Sequence, residues 1–259
     1  MTGLLSLQGI GISFGGLRAV DDLSFTVKQG QIVGLIGPNG AGKTTVFNMI
    51  TGVYRPKSGA ILWKERDITG ASPARVAGLG LRRTFQTIRL FSDMTVFENV
   101  RAGCHLASRQ RWWQGLLALP AQRREEADLA ERTHAVLRRL DLDSVANIPA
   151  TALPYGVQRR VELARTLVGQ PELIILDEPA AGLNDAESAA LNETIFMIRA
   201  SGVTILLVEH DMNVVMQVSD HIVVINFGRK IAEGEAAAIR TNPAVIEAYL
   251  GRDDEDEPA

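Results

Sequence analysis

Residues Gly37-Pro38-Asn39-Gly40-Ala41-Gly42-Lys43-Thr44 restrict what this chain can fold into more than any other eight. They follow the apolar run Gln31-Ile32-Val33-Gly34-Leu35-Ile36, which reads as a buried strand, and lead into Thr44 to Thr51, which reads as the first turns of a helix. A Gly-rich loop between a strand and a helix lets several backbone N–H groups converge on one anion, and the helix N-terminus adds its partial positive charge. Lys43 has the reach for the outer phosphates, the Thr44 hydroxyl is placed to ligate magnesium, and Thr45 belongs to the same turn. A Gly-rich turn with no ligand is the plainer reading, but eight matching residues between a strand and a helix favour a bound nucleoside triphosphate.

At 259 residues the chain can bury one large core or two modest lobes. It is 46% hydrophobic and 22% charged, an ordinary globular balance, and its formal net charge of −3 gives no electrostatic case for nucleic acid. Cys104 is the only cysteine, which excludes an intrachain disulfide. Met1 to Ser6 lacks a basic region leading into an apolar run, so no signal peptide is expected. No apolar stretch approaches the roughly 20 residues that span a bilayer, so a membrane role would come through a partner.

Strand and helix signals alternate, which is the mark of an α/β fold. Leu5, Leu7, Ile10, Ile12 and Phe14 trace a first strand with imperfect alternation, Leu23, Phe25 and Val27 a second, and Lys28 to Gln31 the turn into the loop strand. Leu173–Leu176 and Val203–Val208 read as fully apolar strands, each after a helical stretch, and predict a parallel sheet covered on both faces. Ile222–Ile225 pairs with Lys230-Ile231-Ala232 across Asn226 to Arg229. From about Arg89 to Arg165 the strand signal vanishes; within it Leu129, Thr133, Val136, Leu137 and Leu140 share one helical face. That span, 89–165, reads as an inserted helical lobe. Residues 252–259 are mostly acidic and read as a solvated tail.

A second acidic site narrows the chemistry. Leu173-Ile174-Ile175-Leu176-Asp177-Glu178 is a buried strand ending in adjacent carboxylates. Because successive strand residues point to opposite sides, the two can do different work. Asp177 would hold magnesium, directly or through water, and Glu178 would polarise an attacking water. A strand-end acid pair is often only a cap or a solvated turn; the phosphate loop on the same sheet favours catalysis.

With these residues in place, the chain from about Leu4 to Gly251 resembles the ATP-binding subunits of ABC transporters. Gln86 in Thr84-Phe85-Gln86 matches that family's Q-loop, and His210 in Val208-Glu209-His210-Asp211 its switch histidine. Leu153 to Arg160 falls at the signature segment, Ala181-Gly182-Leu183-Asn184 at the D-loop, and Phe14 at the aromatic position that stacks on adenine. The resemblance implies a P-loop NTPase fold: a mainly parallel RecA-like core with an N-terminal antiparallel β subdomain (1–88 and 166–251) and the helical lobe (89–165). It also implies ATP and Mg2+ as cofactors. The nucleotide set would be Phe14, Val20, Gly37 to Thr45, Gln86, His210 and, from the signature, Pro154, Tyr155, Gly156 and Val157. Thr44, Gln86 and Asp177 would meet the metal, and Glu178, His210 and Gln86 would serve catalysis.

Physical chemistry supports these roles. Stacking on a base contributes ~1–3 kcal/mol and needs only a flat ring, so phenylalanine suffices. His210 can donate to the γ-phosphate and attacking water. Gln86 leads into Thr87 to Ser92, which in this family faces the membrane partner. Two departures stand out: Pro154, Tyr155 and Val157 replace residues of the family's Leu-Ser-Gly-Gly-Gln signature, and Asn184 replaces the usual D-loop aspartate. The signature serine's hydroxyl is therefore missing, although Gly156 and the following helix still offer N–H groups. The expectation is a competent but weakened site.

Tyr-Gly-x-Gln-Arg-Arg in the signature, Pro-Ala-Ala-Gly-Leu-Asn after the acid pair, Arg-Thr-Phe-Gln at the Q-loop, the Arg109 to Leu117 segment and the ending Asn242 to Gly251 are similar to the first ATPase of high-affinity branched-chain amino-acid importers. Urea or amide importers and the lipopolysaccharide-export ATPase share much of this, so the solute stays open. Implied partners are two permease subunits, a second homologous ATPase or a second copy, and indirectly a periplasmic solute-binding protein, at the cytoplasmic face of the inner membrane. A soluble ABC ATPase and a non-hydrolysing switch are the other classes; no tandem cassette or coiled-coil insertion favours the first, and Glu178 and His210 argue against the second. For Trp112, Trp113, Leu116 and Leu117, the core of the lobe ranks slightly above a headgroup or permease contact.

Overall fold

Alternating apolar residues at the N-terminus build a long hairpin, β1 (Gly3–Phe14) and β2 (Leu17–Lys28), paired antiparallel. The broken alternation of β1 has a physical cause: the register shifts between Leu7 and Ile10 and again around Ile12, which keeps Leu7, Ile10 and Ile12 all buried. The structure, a computed structural model, describes residues 3–84, 87–106, 120–209 and 212–250. After β3 (Ile32–Ile36) and α1 (Lys43–Ile50), β4 (Ser58–Trp63) and β5 (Arg66–Asp67) complete a four-stranded antiparallel sheet in the order β2-β1-β4-β5.

Next come α2 (Pro73–Gly78) and β6 (Leu81–Arg83). The described helices between there and the next strand are α3 (Val96–Ala102), with a Thr95–Glu98 capping box, α4 (Pro120–Arg139) and α5 (Tyr155–Leu167), besides short 3-10 turns. Thr133, Leu137 and Leu140 are buried as the periodicity predicts, with Leu129 and Val136 packed at the core margin. The chain continues through β7 (Leu173–Asp177), α6 (Asp185–Ala200), β8 (Thr204–Val208), α7 (Met212–Val218), β9 (His221–Asn226), β10 (Arg229–Gly234), α8 (Ala236–Arg240) and α9 (Pro243–Leu250).

The second sheet runs β10-β9-β3-β8-β7-β6. The pairs from β9 to β6 are parallel and β9–β10 is an antiparallel hairpin. Every residue of β3, β7 and β8 is buried. Strand alternation divides them between two apolar cores. Ile32, Ile36, Ile174, Leu176, Ile205, Leu207, Ile222 and Val224 face a core that also holds Val96, Val100, Leu137, Leu140 and Leu163. Val33, Leu35, Leu173, Ile175, Leu206, Val208, Val223 and Ile225 face one shared with the N-terminal sheet and with Phe47 of α1. No helix among the described residues is long and apolar enough to cross a membrane.

Because Leu137 of α4 and Ile205 of β8 lie in one continuous core, the helical segment and the sheet should unfold together. Leu137→Ala and Ile205→Ala should each cost about 2–5 kcal/mol and leave a single cooperative denaturant transition; a separate early transition for Leu137→Ala would show that the helices melt alone.

Candidate functional site

The phosphate loop hangs between β3 and α1 as the sequence predicts, and its glycines are required for specific reasons. Gly42 is the residue before the first helical turn of α1 and takes φ +102, where a Cβ would lie 2.5 Å from the Ala19 carbonyl oxygen. A Cβ on Gly37 would lie 2.1 Å from the Ile225 carbonyl oxygen. Gly40 also has positive φ but faces open space.

The loop is held from outside by distant chain. In the β9–β10 turn the Gly228 amide donates to the Ala41 carbonyl at 2.9 Å, and the Asp21 amide of β2 donates to the Gly228 carbonyl at 2.9 Å. The buried Tyr249 hydroxyl of α9 faces the Gly37 amide without closing a hydrogen bond; burial pushes it up to about 12, with the Gly37 amide pulling the other way. Lys43 is folded onto its own loop, its Nζ donating to the Gly37 carbonyl at 2.5 Å and the Pro38 carbonyl at 3.0 Å. Burial lowers its ammonium below the usual lysine range, while the Glu178 carboxylate works in the opposite direction. Thr44 is exposed and Thr45 half-buried, as are Pro38 and Gly42; Asn39 and Gly40 are exposed and Ala41 is buried.

At the other acidic site, Asp177 is the last residue of β7 and is 8% exposed. Its Oδ2 accepts from Arg83 Nη2 at 2.7 Å. Glu178 is not a further strand residue: it takes φ +46, its amide donating to the Val208 carbonyl at 2.8 Å. A left-handed turn, not strand alternation, therefore sets the two carboxylates apart, and a left-handed non-glycine residue is backbone strain of the kind that gathers at working sites. The same turn is tied to β8 by Glu209, wholly buried, whose Oε1 accepts the Ala180 amide at 2.7 Å. Gln86, His210, Trp112, Trp113, Leu116, Leu117 and the acidic tail lie outside the described residues.

Phe14 ends β1, 44% exposed, and meets Tyr54 edge-on with ring centroids 5.2 Å apart. Val20 adjoins the phosphate loop. It is wholly buried, with its Cγ2 3.5 Å from the Cβ position of Gly42, so it supports the loop from beneath. Pro154 caps α5 with no side-chain hydrogen bond, which leaves the Tyr155 and Gly156 amides at an uncapped helix start. No hydrogen bond or ion pair joins this start to residues 37–45 among the described residues. It meets the D-loop instead: the Tyr155 ring packs against Gly182, and Glu187, which caps α6 with Asn184, crowds Gly156. Arg83, Tyr54, Glu187, Gly228 and Tyr249 were not singled out from sequence; Arg83 alone carried a signal, as the first residue of Arg-Thr-Phe-Gln.

The glycine geometry sets an order of damage. Gly37→Ala and Gly42→Ala should each lower the melting temperature clearly and weaken nucleotide binding, because a methyl meets fixed backbone. Gly40→Ala should cost only the left-handed strain, about 1–2 kcal/mol. Thermal melts and nucleotide titrations check this; equal effects at all three positions would contradict it.

Residues 20–181 match the family described as ABC transporter, and residues 229–255 the family described as branched-chain amino acid ATP-binding cassette transporter. The chain is 48% identical, over 96% of itself and 98% of the relative, to LivG of Salmonella typhimurium, a high-affinity branched-chain amino acid transport ATP-binding protein. It is 45% identical, over 96% and 98%, to BraF of Pseudomonas aeruginosa, described in the same words. Among solved structures, the ADP conformation of MJ1267, an ATP-binding cassette of an ABC transporter, superposes with a TM-score of 0.85 at 31% identity, covering 97% of this chain and all of that one. Across nearly its whole length, then, in sequence and in fold, the chain belongs to the ABC transporter family as one of its ATP-binding cassettes.

Proposed function

We propose that this cassette hydrolyses ATP to drive import of branched-chain or related amino acids through a membrane complex. The likeness to LivG and BraF over 96% of the chain, continued through the branched-chain family match at residues 229–255, carries the reading. Its partners are two permease subunits and a second ATPase, itself or a homologue, with a solute-binding protein acting through the permeases. It sits peripherally on the cytoplasmic face of the membrane, with residues 89–165 as the lobe that carries the signature segment.

Within the site, the ring of Phe14 takes the adenine and the loop amides the phosphates. Lys43 gives up its two carbonyl contacts for phosphate oxygens, which compensates a buried ammonium better than neutral acceptors do. The donor set fits magnesium: Asp177, the Thr44 hydroxyl and Gln86 supply few ligands and leave the rest to phosphate oxygens and water, the coordination this ion favours. The described residues hold no cluster of three or more His, Cys, Asp or Glu that would make an all-protein cage. When bound, the ion neutralises charge on the outer phosphates. Glu178 orients and deprotonates the attacking water, with Gln86 and His210 holding the water and the γ-phosphate. A second subunit supplies the opposing signature, so hydrolysis waits on pairing.

Glu178→Gln should bind ATP nearly as the parent does and hydrolyse it at least about a hundredfold more slowly, the usual share of a general base. In proteoliposomes holding the full complex, it should abolish uptake of labelled leucine. Retained hydrolysis removes Glu178 from the role, and a parent complex that takes up urea but not leucine overturns the solute assignment.

The uncapped start of α5 generates a second test. A hydroxyl at position 154 would restore a contact to the opposing γ-phosphate worth roughly 1.5–3 kcal/mol, so Pro154→Ser should raise steady-state ATPase activity of the complex about tenfold or more. Serine is also a good helix cap and can spend its oxygen on its own α5 amides. Equal or lower activity with assembly intact would mean that the backbone amides already suffice.

A further inference from the structure

Arg83 joins three parts of the site through one side chain. It ends β6, three residues before Gln86. Nη2 donates to Asp177 Oδ2 at 2.7 Å, and Nη1 donates to Asn48 Oδ1 on α1, also at 2.7 Å. The guanidinium lies 5.7 Å from the centre of the Phe47 ring. The side chains of Arg83 and Asp177 are 15% and 12% exposed, so water screens the pair only weakly. Arg83 Nε is buried with no hydrogen-bond partner, so its two Nη groups carry the hydrogen bonds that tie Asp177 to Asn48. No other described residue hydrogen-bonds to Asp177, so the remaining oxygen, Oδ1, is the one left for a cation.

We infer that Arg83 is a counter-ion that sets how tightly Asp177 engages the divalent cation accompanying the nucleotide. The inference rests on the reading of Asp177 as the carboxylate that meets that cation. Two opposed effects act. Arg83 fixes the carboxylate rotamer, which aids binding by a few-fold at most. It also places a positive charge on the same carboxylate that must attract a doubly positive ion. A divalent cation held by the other oxygen of this carboxylate would share it with the guanidinium, and even at the dielectric of water such a repulsion would be worth about tenfold in affinity. Repulsion outweighs orientation, so the guanidinium keeps the cation weakly held and exchangeable. Asn48 and Phe47 hold the guanidinium in place from the side of α1, so it does not swing away when the cation arrives. Arg83 is therefore a positioning residue that acts on the metal through Asp177.

The test is a titration of Mn2+ into the full-length chain with ADP present, read by electron paramagnetic resonance of the free ion. Arg83→Met should bind Mn2+ about tenfold more tightly than the parent. In an Asp177→Asn background the same substitution should change affinity less than about twofold, a dependence that a general structural role would not show. Arg83→Gln, which keeps a hydrogen bond to Asn48 without the charge, should shift affinity in the same direction and serves if the Met variant does not fold. Unchanged or weaker Mn2+ binding in a folded Arg83 variant overturns the inference while leaving the site reading intact. Asp177→Asn binding Mn2+ as the parent does overturns the site reading and the inference with it.

Discussion

Strands with no exposed position force the architecture. β3, β7 and β8 bury every side chain they carry, and a strand buried on both faces needs apolar cover above and below it. The N-terminal sheet and α1 cover one face; the helices from α3 to α5, with α6 and α7, cover the other. Because neighbouring residues of one strand serve opposite cores, the phosphate loop at the end of β3 and the carboxylates at the end of β7 come from the same rigid sheet. The positions of the loop and of these carboxylates are inherited from burial, and no separate scaffold is needed for them.

The phosphate loop, the parallel sheet, the last hairpin and the face of α4 were legible because each leaves a periodic or motif signal in consecutive residues. What stayed hidden depends on contacts distant in sequence. β6 is three residues long and two of them are arginines, so no strand pattern exists; it forms because Leu81 to Arg83 pair with Leu173 to Ile175. β4 alternates only briefly and α2 is marked only by Ser72 and Pro73, a capping pair that could have been read. In the site, strand alternation was expected to send Asp177 and Glu178 to opposite sides, but Glu178 has already left the strand in a left-handed turn that the sequence does not encode visibly. The full burial of Val20 against Gly42 was likewise not visible in the sequence, because packing order in the third dimension leaves no local pattern.

The signature segment shows how far local chemistry departs from the family's usual pattern. Pro154 removes both a hydroxyl and an amide, while Tyr155 reaches its own chain's D-loop at Gly182 and lies over Arg159, whose guanidinium is 5.8 Å from the ring centre. Arg159 is wholly buried and paired with Glu162 at 2.8 Å. A buried ion pair is weak evidence of stability, but it holds direction well. The start of α5 is thus oriented from within the chain, and it is mechanically joined to the segment around Gly182.

The hydrogen bond from Gly228 to Ala41 links residues almost two hundred positions apart. During synthesis the phosphate loop leaves the ribosome long before its outer brace exists. A nascent chain that ends short of the last hairpin carries the complete loop motif without the backbone that shapes it. The phosphate loop therefore gains its full set of backbone contacts only once the last hairpin has been made.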